Sequence, residues 1–167
     1  MADRDNPYEA AFEEYLRART IPYVAVDETR RSLMDEKSLK SLDFIISTRR
    51  GERLLVDVKG RRFPSGTQRQ YWKNWSTQDD LRSLAEWQRV FGNGFRSMFV
   101  FAYNVVGDRA PLPAEKLFEH KDQLYGFVGI PLNHYLAHAR QISPRWATVA
   151  MSTEKFRSLA APFESFI

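Results

Sequence analysis

An uncharged, apolar run at residues 97–106 limits the fold of this chain more than any other feature. The run reads SMFVFAYNVV, is rich in aromatic and β-branched residues, and does not alternate between polar and apolar positions. Such a run is typical of a strand buried on both faces, because further layers of structure cover both sides of its sheet. The chain therefore needs a central sheet with other elements packed against it.

Helices and further strands are predicted on both sides of this run. Asn6 is expected to cap a first helix over residues 7–19, and Ser76 or Thr77 a second helix that ends at Gly92. The other strands are predicted at 23–26, 42–48, 53–59, 124–130 and 146–151, the other helices at 132–140 and 153–160, and loops at 27–40 and 60–75. This order predicts an α/β (α+β) fold, with a central mixed β-sheet flanked by helices.

Composition narrows the class of protein further. The chain has 167 residues, a formal net charge of +4 and 43% hydrophobic residues, which is typical of one globular domain over residues 1–167. It has no cysteine, which excludes disulfide scaffolds, thiolate zinc sites and cysteine nucleophiles. No apolar run approaches the roughly 20 residues that span a bilayer. Its acidic start has no apolar signal segment, so we expect a cytoplasmic protein without a membrane partner.

Two charged residues within the strand predicted at 53–59 are the first sign of a functional site. Asp57 and Lys59 alternate with valines, so both side chains point to the same face of the strand. Residues 49–52 separate this strand from the preceding one, and such a short connection is typical of a hairpin. The hairpin places Asp43 opposite Asp57. Asp43 has a structural alternative, which is to cap a turn where its strand begins.

These charges suggest a metal site, because charges inside a core strand are unfavourable unless they are paired or metal-bound. The carboxylates of Asp43 and Asp57, with a strand carbonyl and water, would form an all-oxygen site suited to Mg²⁺ or Mn²⁺. Lys59 could then orient or deprotonate a water and neutralise charge that grows on a phosphate. On the first helix, Glu9 and Glu13 share a face, and Glu9 lies nearer to the apolar stripe. We therefore expect Glu9 to reach the site.

The order of these residues resembles that of the PD-(D/E)xK nuclease superfamily, which has the restriction-endonuclease-like fold. The resemblance consists of a helix Glu, then an Asp, then Asp57-Val58-Lys59, in the α-β-β-β-α-β order of that superfamily. The segment Tyr8-Glu9-Ala10-Ala11-Phe12-Glu13 also resembles an uncharacterised bacterial family named for the motif H-Y-E-x-A-F-E. Two positions depart from these patterns. Leu42 stands where the superfamily often has proline, and Pro7 stands where the motif begins with histidine.

The resemblance implies a role for each matched residue. Asp43 and Asp57 are the implied ligands of Mg²⁺ or Mn²⁺, and Glu9 adds the carboxylate of the helix to the metal site. Lys59 is the implied catalytic lysine. Some members of the superfamily present a polar helix residue to the site, which makes Gln88 an accessory candidate together with Glu13.

The site residues also have a purely structural interpretation, which the sequence leaves open. Asp57 and Lys59 could form an exposed ion pair on an edge strand, where such a pair contributes little to stability. In the same way, Glu9 could pair with a base near it, such as Arg17 or Arg19.

Basic and aromatic residues dominate residues 59–75, the segment that begins at the catalytic lysine. The segment has five bases and no acid. Basic side chains neutralise phosphates, and aromatic side chains stack on unpaired nucleobases. We therefore predict a nucleic-acid-binding surface here. The alternative is that Trp72 and Trp75 pack on the core. The predicted contact residues are Arg61, Arg62, Arg69, Tyr71, Trp72 and Lys73.

Together, these observations predict a metal-dependent nuclease that hydrolyses phosphodiester bonds of DNA or RNA. A homodimer is a further expectation, because nucleases of this fold often dimerise to cut two strands. Two alternatives remain, because a fold does not imply a function. One is a catalytically inactive nucleic-acid-binding module, and the other is a protein-interaction domain on the same fold.

Overall fold

The computed structural model describes residues 6–26, 32–34 and 37–167. The helices are α1 (Pro7–Ala18), α2 (Gln78–Phe91), α3 (Leu132–His138) and α4 (Thr153–Leu159), with short 3₁₀ turns at Ala114–Lys116 and Phe163–Phe166. The strands are β1 (Tyr23–Ala25), β2 (Ser32–Met34), β3 (Lys37–Leu39), β4 (Phe44–Ser47), β5 (Arg53–Phe63), β6 (Ser76–Thr77), β7 (Phe95–Val105), β8 (Phe118–His120), β9 (Gln123–Pro131), β10 (Arg140–Ser143), β11 (Thr148–Ala150) and β12 (Ala161–Pro162).

A mixed sheet of seven strands forms the centre of the molecule. Its order is β1-β4-β5-β7-β9-β12, and β8 pairs with the first three residues of β9. The two longest strands, β5 and β7, run parallel over their full length of 11 residues, and all other pairs in this sheet are antiparallel. Within β7, every residue from Ser97 to Asn104 is buried, as the uncharged run predicts. The predicted central mixed sheet is confirmed.

Helices cover both faces of this sheet and create two apolar cores. Neighbouring residues of β7 belong to opposite cores, because successive side chains of a strand point to opposite faces. Val100 packs with Phe12 of α1, whereas Phe101 packs with Leu84 of α2 and Tyr135 of α3. The central strands are therefore covered by α1 on one side and by α2, α3 and α4 on the other.

Side-chain caps fix the first turns of the two longest helices. The Asn6 carboxamide oxygen accepts hydrogen bonds from the backbone N–H groups of Tyr8 (3.0 Å) and Glu9 (3.3 Å). At α2, the Thr77 hydroxyl accepts from the backbone N–H of Asp80 at 3.1 Å, and the Asp80 carboxylate accepts from the Thr77 N–H at 3.0 Å. This reciprocal pair is a capping box, which satisfies two N–H groups that a helix leaves open. Both caps match the sequence prediction.

A second, smaller sheet lies beside the start of α2. It has the order β10-β11-β6, and Thr77 of β6 pairs with Thr148 of β11. The hairpin of β10 and β11 is thereby fixed next to the second helix. Among the described residues, no helix combines the length and the apolar character needed to cross a membrane.

Several sequence predictions differ from the structure in the bounds of loops and in short strands. The loop predicted at 27–40 contains the paired strands β2 and β3 within its described part. The loop predicted at 60–75 starts later, because β5 continues through Phe63 along β7. The predicted helix at 132–140 ends at His138, and β10 follows. Strands of two to four residues have too few positions to show a period of two, so they depend on partners that are distant in sequence.

Candidate active site

A cleft of about 570 Å³ opens beside β5 at the point where β4 stops covering it. The register of β4 and β5 ends at Phe44 opposite Val56, so β4 does not extend along β5 from Asp57 onward. The cleft is lined by Asn6, Tyr8, Glu9, Lys40, Ser41, Asp43, Asp57, Val58, Lys59, Gly60, Arg61, Trp75, Thr77 and Asp80. The structure thus brings the four predicted residues Glu9, Asp43, Asp57 and Lys59 into one cleft.

Asp57 and Lys59 project from the same face of β5, as their alternation predicts. The Lys59 ammonium lies 3.2 Å from the Asp57 carboxylate, and the two side chains are only 16% and 15% exposed. The predicted ion pair between Asp57 and Lys59 is therefore present, but it is largely buried, so the interpretation of the pair as exposed is wrong.

The Asp43 side chain forms a hydrogen bond with β5 just beyond the end of β4. Its carboxylate accepts a hydrogen bond from the backbone N–H of Val58 at 2.6 Å, and its own N–H donates to the carbonyl of Val56 at 2.9 Å. The side chain is buried at the base of the cleft. The cost of burying this charge is offset in part by a charge-assisted hydrogen bond from the main chain. Asp43 is thereby held next to Asp57 on β5.

Glu9 enters the cleft from the first turn of α1. It is buried, and its carboxylate accepts a hydrogen bond from the Asn6 carboxamide at 2.9 Å. The two bases suggested as its surface partners have other partners, because Arg17 binds Glu13 and Glu14, and Arg19 binds Glu164. The cap that starts the helix therefore also orients the Glu9 side chain.

Close packing of α1 on β5 depends on Gly60, the residue that follows Lys59. The ring of Tyr8 lies against the backbone of Gly60, in the space that a Cβ atom would occupy. A larger residue at this position would push the first turn of α1 away from β5. Gly60 therefore allows Glu9 to approach the strand that carries Asp57 and Lys59.

Two charged residues that sequence reasoning did not assign to the site also line the cleft. The Asp80 carboxylate lies 3.0 Å from the Lys59 ammonium and 2.7 Å from the Lys40 ammonium. Asp80 is recognisable in the sequence as an acid in the first turn of a helix, but that signal predicts only a cap. Its proximity to β5 depends on how α2 packs against the sheet. Lys40 lies in a segment predicted to be a loop, where no pattern indicates its partner.

Burial and neighbouring charges have opposing effects on the pKa values of Asp57, Lys59 and Asp80. Burial raises the pKa of Asp57 above its ordinary value, while Lys59 opposes that rise and Asp80 adds to it. Burial tends to lower the pKa of Lys59, but the carboxylates of Asp57 and Asp80 outweigh it and raise that pKa. Burial likewise tends to raise the pKa of Asp80, which Lys59 and a hydrogen bond from Lys40 hold well below its ordinary value. Lys59 is therefore an ammonium group held between two carboxylates.

The carboxylate oxygens in the cleft are suitable ligands for a hard divalent cation, but they do not form a complete coordination shell by themselves. Asp43 and Asp57 supply carboxylate oxygens on one side of the cleft, and Glu9 supplies another at its wall. Oxygen donors of this kind are those that Mg²⁺ and Mn²⁺ prefer. Within the described part of the chain, no three His, Cys, Asp or Glu side chains already converge as a metal-binding group. An ion would therefore have to complete its shell with main-chain oxygen, water or substrate.

The two accessory candidates lie outside the cleft. Glu13 accepts hydrogen bonds from the Tyr23 hydroxyl at 2.8 Å and from the Arg17 guanidinium at 3.0 Å. Gln88 accepts one from the backbone N–H of Ser97 at 2.8 Å, on the far part of α2. The structure brings neither residue to the site.

The basic segment after Lys59 divides into buried and exposed side chains. The Arg61 guanidinium donates to the carbonyl of Gly60 at 2.7 Å and to the carbonyl of Trp75, and its Nε atom is buried without a partner among the described residues. Burial lowers the pKa of Arg61. Arg62 and Arg69 are exposed, and Lys73 is partly exposed. The predicted phosphate contacts are therefore accessible at the last three residues, whereas Arg61 is tied to the backbone.

The aromatic residues of the segment divide in the same way, because Trp72 packs on the core while Trp75 is more exposed. The Trp72 ring packs edge-on against Phe63 (5.2 Å between centroids) and Tyr103 (5.7 Å). Tyr71 packs on Phe63 at 5.0 Å. The core-packing alternative is thus right for Trp72, because β5 extends to Phe63 and gives the ring an apolar partner. Trp75, in contrast, is 39% exposed and lines the cleft.

Comparison with known proteins identifies the fold. No known protein family matches the sequence, and no curated protein is similar to it. The structure is similar to that of Hjc, a Holliday junction resolvase from the archaeal hyperthermophile Archaeoglobus fulgidus. The TM-score is 0.54, at 12% sequence identity, over 95% of this chain and 96% of that chain. The fold is restriction-endonuclease-like. The predicted fold is confirmed, whereas the resemblance to the H-Y-E-x-A-F-E family stays a prediction.

Proposed function

We propose that this protein is a metal-dependent nuclease that hydrolyses phosphodiester bonds. The observation that carries the proposal is the meeting of Asp43, Asp57 and Lys59 in one cleft of a restriction-endonuclease-like fold. Glu9 reaches the same cleft from α1. Similarity of fold to a Holliday junction resolvase supports the proposal, and the chemistry rests on the named side chains.

Asp43 and Asp57 would hold a Mg²⁺ or Mn²⁺ ion, with Glu9 at the wall of the cleft. Such an ion, when bound, supplies Lewis-acid polarisation of the scissile phosphate. Asp43 is oriented by the Val58 N–H and Glu9 by the Asn6 carboxamide. Both carboxylates are therefore held in place before a ligand arrives, which reduces the ordering that binding requires.

Lys59 acts as a hydrogen-bond donor and a fixed positive charge. Asp57 and Asp80 lie on either side of its ammonium group, at 3.2 Å and 3.0 Å. An ammonium group in that setting can orient a water and stabilise negative charge that grows on the phosphate. Of the two roles that the sequence suggests for Lys59, its position between two carboxylates favours orientation over deprotonation of the water.

Exposed bases beyond the cleft would hold the substrate. Arg62, Arg69 and Lys73 follow Lys59 in a segment without acidic residues. Their charges can neutralise backbone phosphates without any preference for sequence. Contacts to the phosphates of the nucleic-acid backbone are compatible with DNA and with RNA, and with linear and branched substrates.

A cleavage assay with a matched control variant tests the proposal. Labelled single-stranded, duplex and four-way-junction DNA, and single-stranded RNA, are incubated with the protein in Mg²⁺, Mn²⁺ or EDTA. We expect cleavage only with a metal ion and at least a roughly 1,000-fold loss in Asp57→Asn, since a metal ion contributes several kcal/mol to the barrier. Asp79→Asn serves as the control, because Asp79 precedes Asp80 on α2 but does not line the cleft. Equal cleavage by both variants would contradict the proposal.

A nucleic-acid-binding module without turnover is the second candidate. It is favoured by one observation, which is that no three potential metal ligands converge in the described residues before an ion is bound. Titration calorimetry with Mn²⁺ separates the two candidates. The nuclease should bind the ion through Asp57 and lose that binding in Asp57→Asn. The binding module should bind DNA or RNA equally well in both proteins and show no metal-dependent heat.

A further inference from the structure

A second cavity lies next to the cleft and shares Trp75 with it. This groove has a volume of about 430 Å³. Trp75 is the residue that lines both the groove and the cleft. The groove is formed by the end of the basic segment and by the hairpin of β10 and β11 with the residues after it. Its lining residues are Gln70, Tyr71, Trp72, Lys73, Asn74, Trp75, Ile142, Ala150, Met151 and Thr153.

Trp75 is held in place while part of its ring stays open. The Arg61 guanidinium stacks over the ring at 4.0 Å from its centroid, and Arg61 lines the cleft but not the groove. The side chain is nevertheless 39% exposed. A ring that is fixed on one side and accessible elsewhere loses little conformational entropy when a flat ligand stacks on it.

The walls of the groove are also fixed before any ligand binds. The buried Asn74 carboxamide accepts from the Met151 N–H at 2.8 Å and donates to the Met151 carbonyl at 3.1 Å. The Tyr135 hydroxyl donates to the Asn74 carbonyl at 2.7 Å. These bonds connect Asn74, which precedes β6, to Met151, which follows β11, and to Tyr135 of α3. The two sides of the groove therefore keep a fixed separation.

The charge of the surrounding chain favours an anionic ligand. Residues 58–78 and residues 123–153 contain no Asp or Glu. The pairing of β6 with β11 brings these two segments together at the groove. Lys73 lines it, and Arg157 lies over the ring of Trp72 at 4.9 Å. A polyanionic chain can therefore pass along this surface without meeting a repelling carboxylate from either segment.

We propose that the groove binds an unpaired nucleotide of the strand that is cut, with its base stacked on Trp75. The inference rests on the proposed nuclease function, because it places the groove beside the scissile phosphate. A base in a duplex is already stacked and paired, so only an unpaired base can enter a groove lined by side chains. The preferred substrate class is then a nucleic acid with a single-stranded segment next to the cleavage position.

Binding measurements without metal ions test this inference independently of catalysis. Fluorescence anisotropy in EDTA compares a labelled single strand with a blunt duplex of the same sequence, each as DNA and as RNA. Trp75→Ala should lower the affinity for the single strand by roughly 5- to 150-fold and leave the affinity for the duplex within about twofold. Trp146→Ala is the matched control, because Trp146 is 66% exposed on the same hairpin but does not line the groove. It should change neither affinity.

A second pair of variants keeps the test decisive if Trp75→Ala does not fold. Ile142 is 59% exposed at the groove, so Ile142→Glu adds a negative charge there without opening the core. Leu136→Glu adds the same charge at an exposed position of α3, outside the groove. Only Ile142→Glu should weaken single-strand binding, by roughly tenfold.

The possible outcomes separate this inference from the proposed function. If the variants at Trp75 and Ile142 bind single strands like the wild type, or lose single-strand and duplex affinity equally, the groove does not hold an unpaired nucleotide. The nuclease proposal would survive that result, since it depends on metal-dependent cleavage and on its loss in Asp57→Asn.

Discussion

Helix α1 carries one glutamate in its first turn and another near its middle, in different environments. Glu9 and Glu13 are four residues apart on one helix, and both are acids beside apolar positions. Glu9 is buried in the cleft and accepts a hydrogen bond from a neutral carboxamide. Glu13 is instead partly buried outside the cleft, and it accepts hydrogen bonds from the Arg17 guanidinium and the Tyr23 hydroxyl.

The difference shows how one helix can serve both stability and function. Near its C-terminal end, each acid meets a base, because Arg17 binds Glu13 and Glu14 and Arg19 binds Glu164. At its N-terminal end, the described residues that line the cleft include four carboxylates and three cations. Exposed pairs stabilise a protein modestly, whereas crowded buried charges oppose folding unless a ligand neutralises them. The N-terminal end is therefore the part of the helix where the proposed function places a ligand.

Among the variants that sharpen this comparison, the largest effect should come from removing the buried cation Lys59. We expect Lys59→Met to lower the cleavage rate by roughly 100- to 1,000-fold with little change in nucleic-acid affinity, because its charge acts on the developing negative charge. It should also lower the free energy of unfolding by about 3 kcal/mol, since Asp57 and Asp80 lose a buried partner. Single-turnover cleavage and chemical denaturation measure the two effects. Lys116→Met, which removes a cation from a surface pair with Glu164, should leave cleavage unchanged.

The two glutamates of α1 test the comparison directly. Glu9→Gln should lower the cleavage rate by roughly 10- to 100-fold, the range for residues that support a metal site. The fold should be retained, because Gln keeps one oxygen that can accept the hydrogen bond from the Asn6 carboxamide. Glu13→Gln should leave cleavage within about twofold and lower the melting temperature by about 1–3 °C. If both variants cleave equally well, the two ends of the helix do not differ in function.

Exposed bases outside the cleft should control affinity and leave turnover nearly unchanged. The combined change of Arg62, Arg69 and Lys73 to Gln removes up to three phosphate contacts. Each lost contact should flatten the slope of log affinity against log salt by about 0.7–0.9, so a total change of roughly 2 is expected. Anisotropy titrations over a range of salt concentrations measure the slope. An unchanged slope would show that this segment does not contact phosphate.

The smallest effect should come from the surface pairs at the other end of α1. Hydrogen bonds from Lys116 and Arg19 lower the pKa of Glu164 below its ordinary value of 4.5. A carboxyl whose pKa is lower in the folded state stabilises the protein above its unfolded pKa and loses that contribution as the pH falls through its folded pKa. The melting temperature of Glu164→Gln should therefore lie slightly below that of the wild type at pH 6. The two should converge below pH 4.5, as thermal unfolding at several pH values would show.

The local part of the structure could be predicted from the sequence. Asn6 and Thr77 cap their helices through contacts within three residues, and Asp57 and Lys59 share a face because strands alternate. The uncharged run of β7 is buried because no polar position interrupts it. The position of Asp43 near Asp57 could also be predicted, because the short connection between β4 and β5 leaves few possible registers for the hairpin.

Only the tertiary structure decided which distant side chains complete the cleft and which ring remains exposed. Asp80 reaches Lys59 across 21 positions of sequence, and Trp72 is covered by Phe63 and Tyr103 while Trp75 is not. Periodicity and capping report interactions within a few residues, so they carry no information about how α2 or the β10–β11 hairpin packs against β5. Those positions follow from the burial of two apolar cores on opposite faces of one sheet, which is a property of the whole chain.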